Sequence, residues 1–159
     1  MADVEELEVG PPHEVALQNA RLKATAVITS EDDQRLVLGV DTLVAVGGRV
    51  YGKPPDAAEA EATLRALSGR THTVIGGLCL IGAGRTRTAL AATEVEFRAL
   101  DDPTLRWYLD TGEWRERAGA YAIQGTGAAL VQRIDGDYLN VVGLPVPALL
   151  DLEPGLLRL

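Results

Sequence analysis

Residues 71–97 read THTVIGGLCLIGAGRTRTALAATEVEF, and this stretch decides the fold class. Two apolar, β-branched runs at 71–81 and 86–97 flank the glycine-rich step 82–84, which predicts a β-hairpin. Over residues 93–97, Thr, Val and Phe side chains alternate with glutamates, so one face of this strand is expected in the core and the other in solvent. Because strands joined by a short turn run antiparallel, the sheet is predicted to be largely antiparallel.

Helices and strands mix irregularly along the rest of the chain. Apolar spacing, prolines in first turns and a cap at Asp56 predict helices at 12–27, 56–67, 102–112 and after Pro145. Short apolar runs predict further strands at 36–40, 43–46, 49–51, 128–134 and 138–142, and the turn signal at 135–137 joins the last two as a hairpin. This order predicts one α/β (α+β) domain over residues 1–159, with a mixed, largely antiparallel sheet flanked by helices.

Composition narrows the classes of function. The chain has 159 residues, of which 47% are hydrophobic, enough for one domain with a sizeable core. Its net charge of −8 argues against non-specific nucleic-acid binding, and no apolar run approaches the ~20 residues of a membrane helix. The single cysteine, Cys79, cannot form an internal disulfide. We therefore expect a cytoplasmic protein with neither nucleic acid nor membrane as a partner.

Two charged residues follow apolar runs. Asp41 comes directly after the run 36–40, where a carboxylate could serve as a metal ligand or a general base; the alternative is a turn-forming aspartate that caps the backbone near Thr42. Lys53 lies between a glycine and a proline, where a ligand can approach the backbone and a lysine can meet a phosphate. The alternative for Lys53 is an ordinary solvated loop lysine.

Gln124 is the sharpest candidate for ligand contact. It lies in the run 119–125, Gly-Ala-Tyr-Ala-Ile-Gln-Gly, after small residues and before an apolar segment. In a buried strand its amide would need hydrogen-bond partners, whereas the neighbouring Gly125 and Gly127 favour a loop over a ligand. Lys23, on the first predicted helix, is the only lysine besides Lys53.

The ordered combination of motifs resembles the Maf family of nucleoside-triphosphate pyrophosphatases over nearly the whole chain. The matching segments are Val4-Glu5-Glu6, Ala20-Arg21-Leu22-Lys23-Ala24, the blocks 37–42 through Lys53-Pro54 and 67–72, Thr93-x-Val95-x-Phe97, residues 118–125, and Val141-Val142-Gly143-Leu144-Pro145. Asp41-Thr42 together with Ile123-Gln124-Gly125 looks like the branch that acts on dTTP and UTP, and argues against the related inosine-triphosphate pyrophosphatases.

The resemblance implies an activity and a role for each site residue. Proteins of this family cleave a nucleoside triphosphate between the α and β phosphates, on a fold with a central cleft. Carried over position by position, Asp41 is the catalytic base or water-orienting residue, and Glu6 and Asp41 hold a divalent metal, Mg²⁺ or Mn²⁺. The expected substrate-binding residues are Lys23, Thr42, Lys53 and Gln124, and the family also suggests a homodimer.

The chain also departs from the family pattern. It has no counterpart of the Ser-x-Ser-Pro-Arg-Arg segment that opens such proteins, so we expect a chain truncated at its N-terminus, with a misplaced start as the preferred explanation. The alternative is a non-catalytic nucleotide-binding or regulatory protein on the same fold. Arg117 stands where the family commonly has a lysine, and keeps the charge.

Overall fold

A computed structural model describes residues 4–7, 9–28 and 35–158. Its helices are α1 (Pro12–Ala26), α2 (Ala57–Leu67), α3 (Asp102–Asp110), α4 (Tyr138–Val142) and α5 (Val146–Leu152), and its strands are β1 (Val37–Val46), β2 (Arg49–Tyr51), β3 (Thr71–Gly82), β4 (Arg85–Phe97) and β5 (Val131–Asp135). None of the helices in these ranges reaches the length and hydropathy that a bilayer-spanning segment needs.

The five strands form one antiparallel sheet in the order β2-β1-β3-β4-β5, which confirms the predicted class. The hairpin of β3 and β4 is in register from Thr71 opposite Glu96 to Gly82 opposite Arg85. Ala83 and Gly84 form its turn with φ of 50° and 71°. Positive φ at both central residues is the geometry of a two-residue type I′ hairpin turn.

The predicted cap of α2 forms, and α3 has a cap that was not predicted. The Asp56 carboxylate accepts a hydrogen bond of 2.8 Å from the backbone N–H of Glu59 at the start of α2. At the start of α3 the Asp101 side chain accepts one of 2.9 Å from Thr104, and Pro103 occupies the first turn. Local sequence signals therefore position both helices correctly.

Three strand predictions are wrong. The segments 36–40 and 43–46 are one continuous strand, because β3 pairs with β1 from Val37 opposite Ile81 to Ala45 opposite Thr73. The predicted hairpin after residue 134 is absent: 138–142 is helix α4, since the Asp137 side chain accepts a hydrogen bond of 2.9 Å from Leu139 and caps it. The strand predicted at 128–134 starts only at Val131, after a 3₁₀ turn.

Two glycines let helix α1 lie close to one face of the sheet. A Cβ on Gly39 of β1 would meet the carbonyl oxygen of Ala20, and one on Gly77 of β3 would meet that of Ala16. The opposite face carries the largest hydrophobic core, formed with α2 and α3 around side chains such as Leu64. The close approach of α1 places its polar residues directly over β1.

His72 is buried beside Phe97 and Tyr121, two residues of the largest core cluster. Its side chain is 1% exposed, its Nε2 lies 2.8 Å from the Tyr121 hydroxyl, and its ring packs edge-on against Phe97 and Tyr121. Burial disfavours the imidazolium and lowers the pKa of His72 to about 4.

This lowered pKa makes stability fall in mild acid. The folded chain holds His72 neutral, while the unfolded chain binds a proton at this residue below pH ~6.5. The free energy of unfolding is therefore unaffected by His72 above that pH, and it decreases as the pH falls from there towards 4. From pH 7 to pH 5 we expect a loss of ~2 kcal/mol. Urea unfolding at both pH values should show a smaller loss for His72→Gln, and an unchanged loss for His13→Gln at an exposed histidine. Equal losses in the wild type and His72→Gln would contradict the assignment.

Candidate active site

A cleft of about 650 Å³ opens beside β1. This volume is within the usual range for small-molecule sites, ~300–1,000 Å³. Its walls come from the N-terminal segment, α1, β1, the loop after β2, the loop 116–124 and α4. All the site residues predicted from the sequence line this one cleft: Glu6, Lys23, Asp41, Thr42, Lys53 and Gln124. The structure thus brings together residues far apart in sequence, while their chemical roles stay predictions.

Asp41 is the most constrained of these residues. It lies in the middle of β1 rather than at a strand end or in a turn, which corrects both sequence interpretations of its backbone. Its side chain is 3% exposed and accepts hydrogen bonds from Lys23 Nζ to Oδ1 (2.7 Å) and from Asn19 Nδ2 to Oδ2 (3.2 Å). Each carboxylate oxygen can accept a second bond, so Asp41 can still orient a water in the cleft.

Lys23 lies between two carboxylates. Its ammonium is 2.7 Å from Asp41 Oδ1 and 2.8 Å from Glu6 Oε1, and the side chain is partly exposed to the cleft. Burial acts to lower the pKa of Lys23, but hydrogen bonds to Asp41 and Glu6 outweigh it and raise the pKa above its ordinary value. Lys23 is therefore a permanent positive charge at this end of the cleft.

Glu6 and Asp41 are the carboxylates that could contribute ligands to a divalent metal. Both contact the Lys23 ammonium, so they line the same end of the cleft. Within residues 4–7, 9–28 and 35–158 no group of three or more His, Cys, Asp or Glu side chains forms a complete metal site. Mg²⁺ keeps several waters and binds through one or two carboxylates plus substrate phosphates, so this pair fits such a metal.

Lys53 and Gln124 line the cleft from two loops and are less constrained. Lys53 Nζ is 3.7 Å from Glu116 Oε2, and the lysine side chain is 55% exposed. Gln124 is exposed, in the turn that precedes the 3₁₀ segment Thr126–Leu130, and not in a strand. In the same loop as Gln124, the backbone N–H of Gly119 donates a hydrogen bond of 3.1 Å to the carbonyl oxygen of Gly52, next to Lys53. This bond connects the two loops. These loops can present an ammonium and an amide to a ligand.

Sequence reasoning missed Asn19. This side chain is buried, and its amide bonds Asp41 while its Oδ1 and Nδ2 also pair with the backbone of Leu7 at 2.7 and 3.1 Å. Asn19 therefore joins the N-terminal segment carrying Glu6 to α1 and to the catalytic candidate. The available signal was its position one helical turn before Lys23, on the same face of α1.

Comparison with known proteins identifies the family of this chain. The model of the family described as Maf-like protein matches residues 1–153, and the chain belongs to that family. Among curated relatives, a protein of Pyrococcus horikoshii named dTTP/UTP pyrophosphatase is 45% identical over 152 residues, which is 95% of this chain and 81% of the relative. Proteins of the same name are 40% identical in Deinococcus radiodurans (96% and 78% covered) and 47% identical in Anaeromyxobacter dehalogenans (86% and 70%).

Proposed function

We propose that this protein is a nucleoside triphosphate pyrophosphatase that hydrolyses dTTP and UTP to the monophosphate and pyrophosphate. One observation carries the proposal: a buried carboxylate, Asp41, faces a nucleotide-sized cleft that also holds both lysines of the chain. The names of the relatives support dTTP and UTP as the substrates.

The cleft offers cations that can contact a triphosphate. Lys23, Lys53 and Arg117 supply positive charge from α1 and from two loops, and the carboxylates of Glu6, Asp41 and Glu116 line the same cleft. Positioning and electrostatic stabilisation provide most of the catalysis in phosphoryl chemistry. These cations would therefore offset the phosphate charge and hold the α-phosphorus near Asp41.

Asp41 acts in this proposal on the attacking water. Asn19 and Lys23 fix its carboxylate, so a free lone pair can accept a water proton while the water oxygen bonds the α-phosphorus. The bond between the α-phosphorus and the bridging oxygen then breaks, and pyrophosphate leaves. Glu6 and Asp41 would hold Mg²⁺ or Mn²⁺, which would supply further charge neutralisation at the phosphates when bound.

A panel of triphosphates tests this function. We expect pyrophosphate release from dTTP and UTP when Mg²⁺ or Mn²⁺ is present, loss of release with a chelator, and little reaction with ATP or GTP. A clear preference for 7-methyl-GTP or ITP would contradict the substrate assignment. Tight binding of dTTP or UTP without any turnover would instead indicate a non-catalytic nucleotide-binding protein.

The cytoplasmic location and the homodimer also stay proposals. Buried Cys79, the only cysteine, agrees with a reducing compartment. Exposed apolar side chains such as Leu90 and Trp107 are available for contact with a second copy. Analytical ultracentrifugation of the purified chain would give twice the monomer mass if the dimer forms.

A further inference from the structure

We propose that Glu113 is a positioning residue for the triphosphate site, because it fixes the turn that presents Gln124 to the cleft. The inference rests on the proposed function and adds to it a residue that does not itself line the cleft. Neither a sequence pattern nor a position in the cleft marks Glu113, and only its hydrogen bonds reveal it.

The Glu113 carboxylate binds the backbone directly after Gln124. Its Oε2 accepts a hydrogen bond of 2.9 Å from the N–H of Thr126, and its Oε1 accepts one of 2.8 Å from the N–H of Gly127. A Cβ on Gly125 would collide with this carboxylate, so the glycine is what allows the close approach. One side chain therefore fixes the backbone on the C-terminal side of Gln124.

Tyr108 fixes the other side of the same turn. Its hydroxyl accepts a hydrogen bond of 3.0 Å from the N–H of Ala122 and donates one of 3.0 Å to Glu113 Oε1. Its ring is fully buried in the largest core cluster, on α3. The pair thus connects the turn 122–127, on both sides of Gln124, to the largest core cluster.

Charge strengthens this arrangement. Partial burial acts to raise the pKa of Glu113, but hydrogen bonds from Gly127, Thr126 and Tyr108 outweigh it and hold the pKa below its usual range. Glu113 is therefore ionised at neutral pH, and hydrogen bonds to an ionised acceptor are stronger than neutral ones. An exposed glutamine on a fixed turn loses less freedom on binding than one on a mobile loop.

The test separates positioning from general structural support. Glu113→Gln replaces one acceptor oxygen with an NH₂ group that cannot accept from a backbone N–H. We expect it to weaken binding of a non-hydrolysable α,β-imido dUTP by ~10-fold, measured by calorimetry, and to raise KM for dTTP with little change in kcat. In a Gln124→Ala background the same substitution should change binding less than ~2-fold, because the side chain that Glu113 positions is gone.

Two further variants keep the test decisive. Tyr108→Phe retains the ring but removes the shared hydroxyl, and should weaken binding in the same direction. Asp110→Asn removes an exposed carboxylate close in sequence and should leave binding unchanged. Hydrogen exchange gives a readout independent of nucleotide, since the amides of Thr126 and Gly127 should exchange faster in Glu113→Gln than in the wild type.

The outcomes distinguish this inference from the proposed function. An equal loss of binding with and without Gln124, or unchanged exchange at Thr126 and Gly127, would overturn the role of Glu113. A wild-type protein that binds the analogue but releases no pyrophosphate would overturn the enzymatic proposal, and the binding cycle would still decide the role of Glu113. No binding by the wild type would overturn both.

Discussion

Replacing Asp41 with asparagine is expected to lower pyrophosphate release from dTTP by ~100-fold or more, the usual scale for losing a general base. Asparagine keeps the shape of the side chain and can still accept from Asn19 or Lys23, but it has neither the charge nor the basicity of the carboxylate. Steady-state kinetics with saturating metal would measure the effect. Binding of the α,β-imido analogue should largely survive, because the lysines and Gln124 remain.

A matched control separates chemistry from folding. Asp135→Asn, at an exposed position on β5, should leave both turnover and thermal unfolding unchanged. Circular dichroism should show that Asp41→Asn is folded under the assay conditions. If the folded Asp41→Asn protein retained more than about a third of wild-type kcat, Asp41 would be neither the base nor an essential water-orienting residue.

Gly39→Ala is expected to cause the largest loss of stability among single-methyl changes near the site. The new Cβ would overlap the carbonyl oxygen of Ala20 and lie 2.7 Å from Ala24 N, and both are backbone atoms of a packed helix. Helix α1 must then move away from the sheet, at a cost of roughly 3 kcal/mol. Because α1 carries Asn19 and Lys23, the same shift should weaken their bonds to Asp41 and reduce nucleotide affinity.

Gly52→Ala is the control for this substitution. A Cβ at Gly52 would have no heavy atom within 4 Å, so we expect its effect on stability to stay within ~0.5 kcal/mol. Chemical unfolding at pH 7.5 gives the free energy of unfolding of both variants, Gly39→Ala and Gly52→Ala. Similar stability of the two variants would show that the close packing of α1 on Gly39 is not needed for the stability of the protein.

Local signals made much of the fold predictable. The side-chain cap of Asp56 and the turn at Ala83-Gly84 depend on neighbouring residues only, and both formed as expected. The errors in the predicted strands arose where pairing with a distant strand, or the choice between a helix cap and a hairpin turn, decided the structure. Pairing with β3 keeps β1 a continuous strand on both sides of Asp41. Asp137 caps helix α4, although the same residues could have formed a hairpin turn.

The residues of the site also fall into two groups, those that local sequence signals mark and those that they do not. Asp41, Lys53 and Gln124 each follow an apolar run or border glycine, so the sequence marks them, and the structure places them in one cleft. Asn19 and Glu113 act through bonds to residues 22 and 13–14 positions away, which no local pattern reports. Residues that touch a ligand are thus easier to find from sequence than residues that hold them in place.

Hydrolysis of dTTP in ¹⁸O-labelled water, followed by ³¹P NMR, tests the central claim most directly. Attack of water on the α-phosphorus beside Asp41 forms a new oxygen–phosphorus bond in the nucleotide and breaks the bridge to the β-phosphate. We therefore expect unlabelled pyrophosphate and dTMP carrying one ¹⁸O. Labelled phosphate together with dTDP, or label in the pyrophosphate, would contradict it.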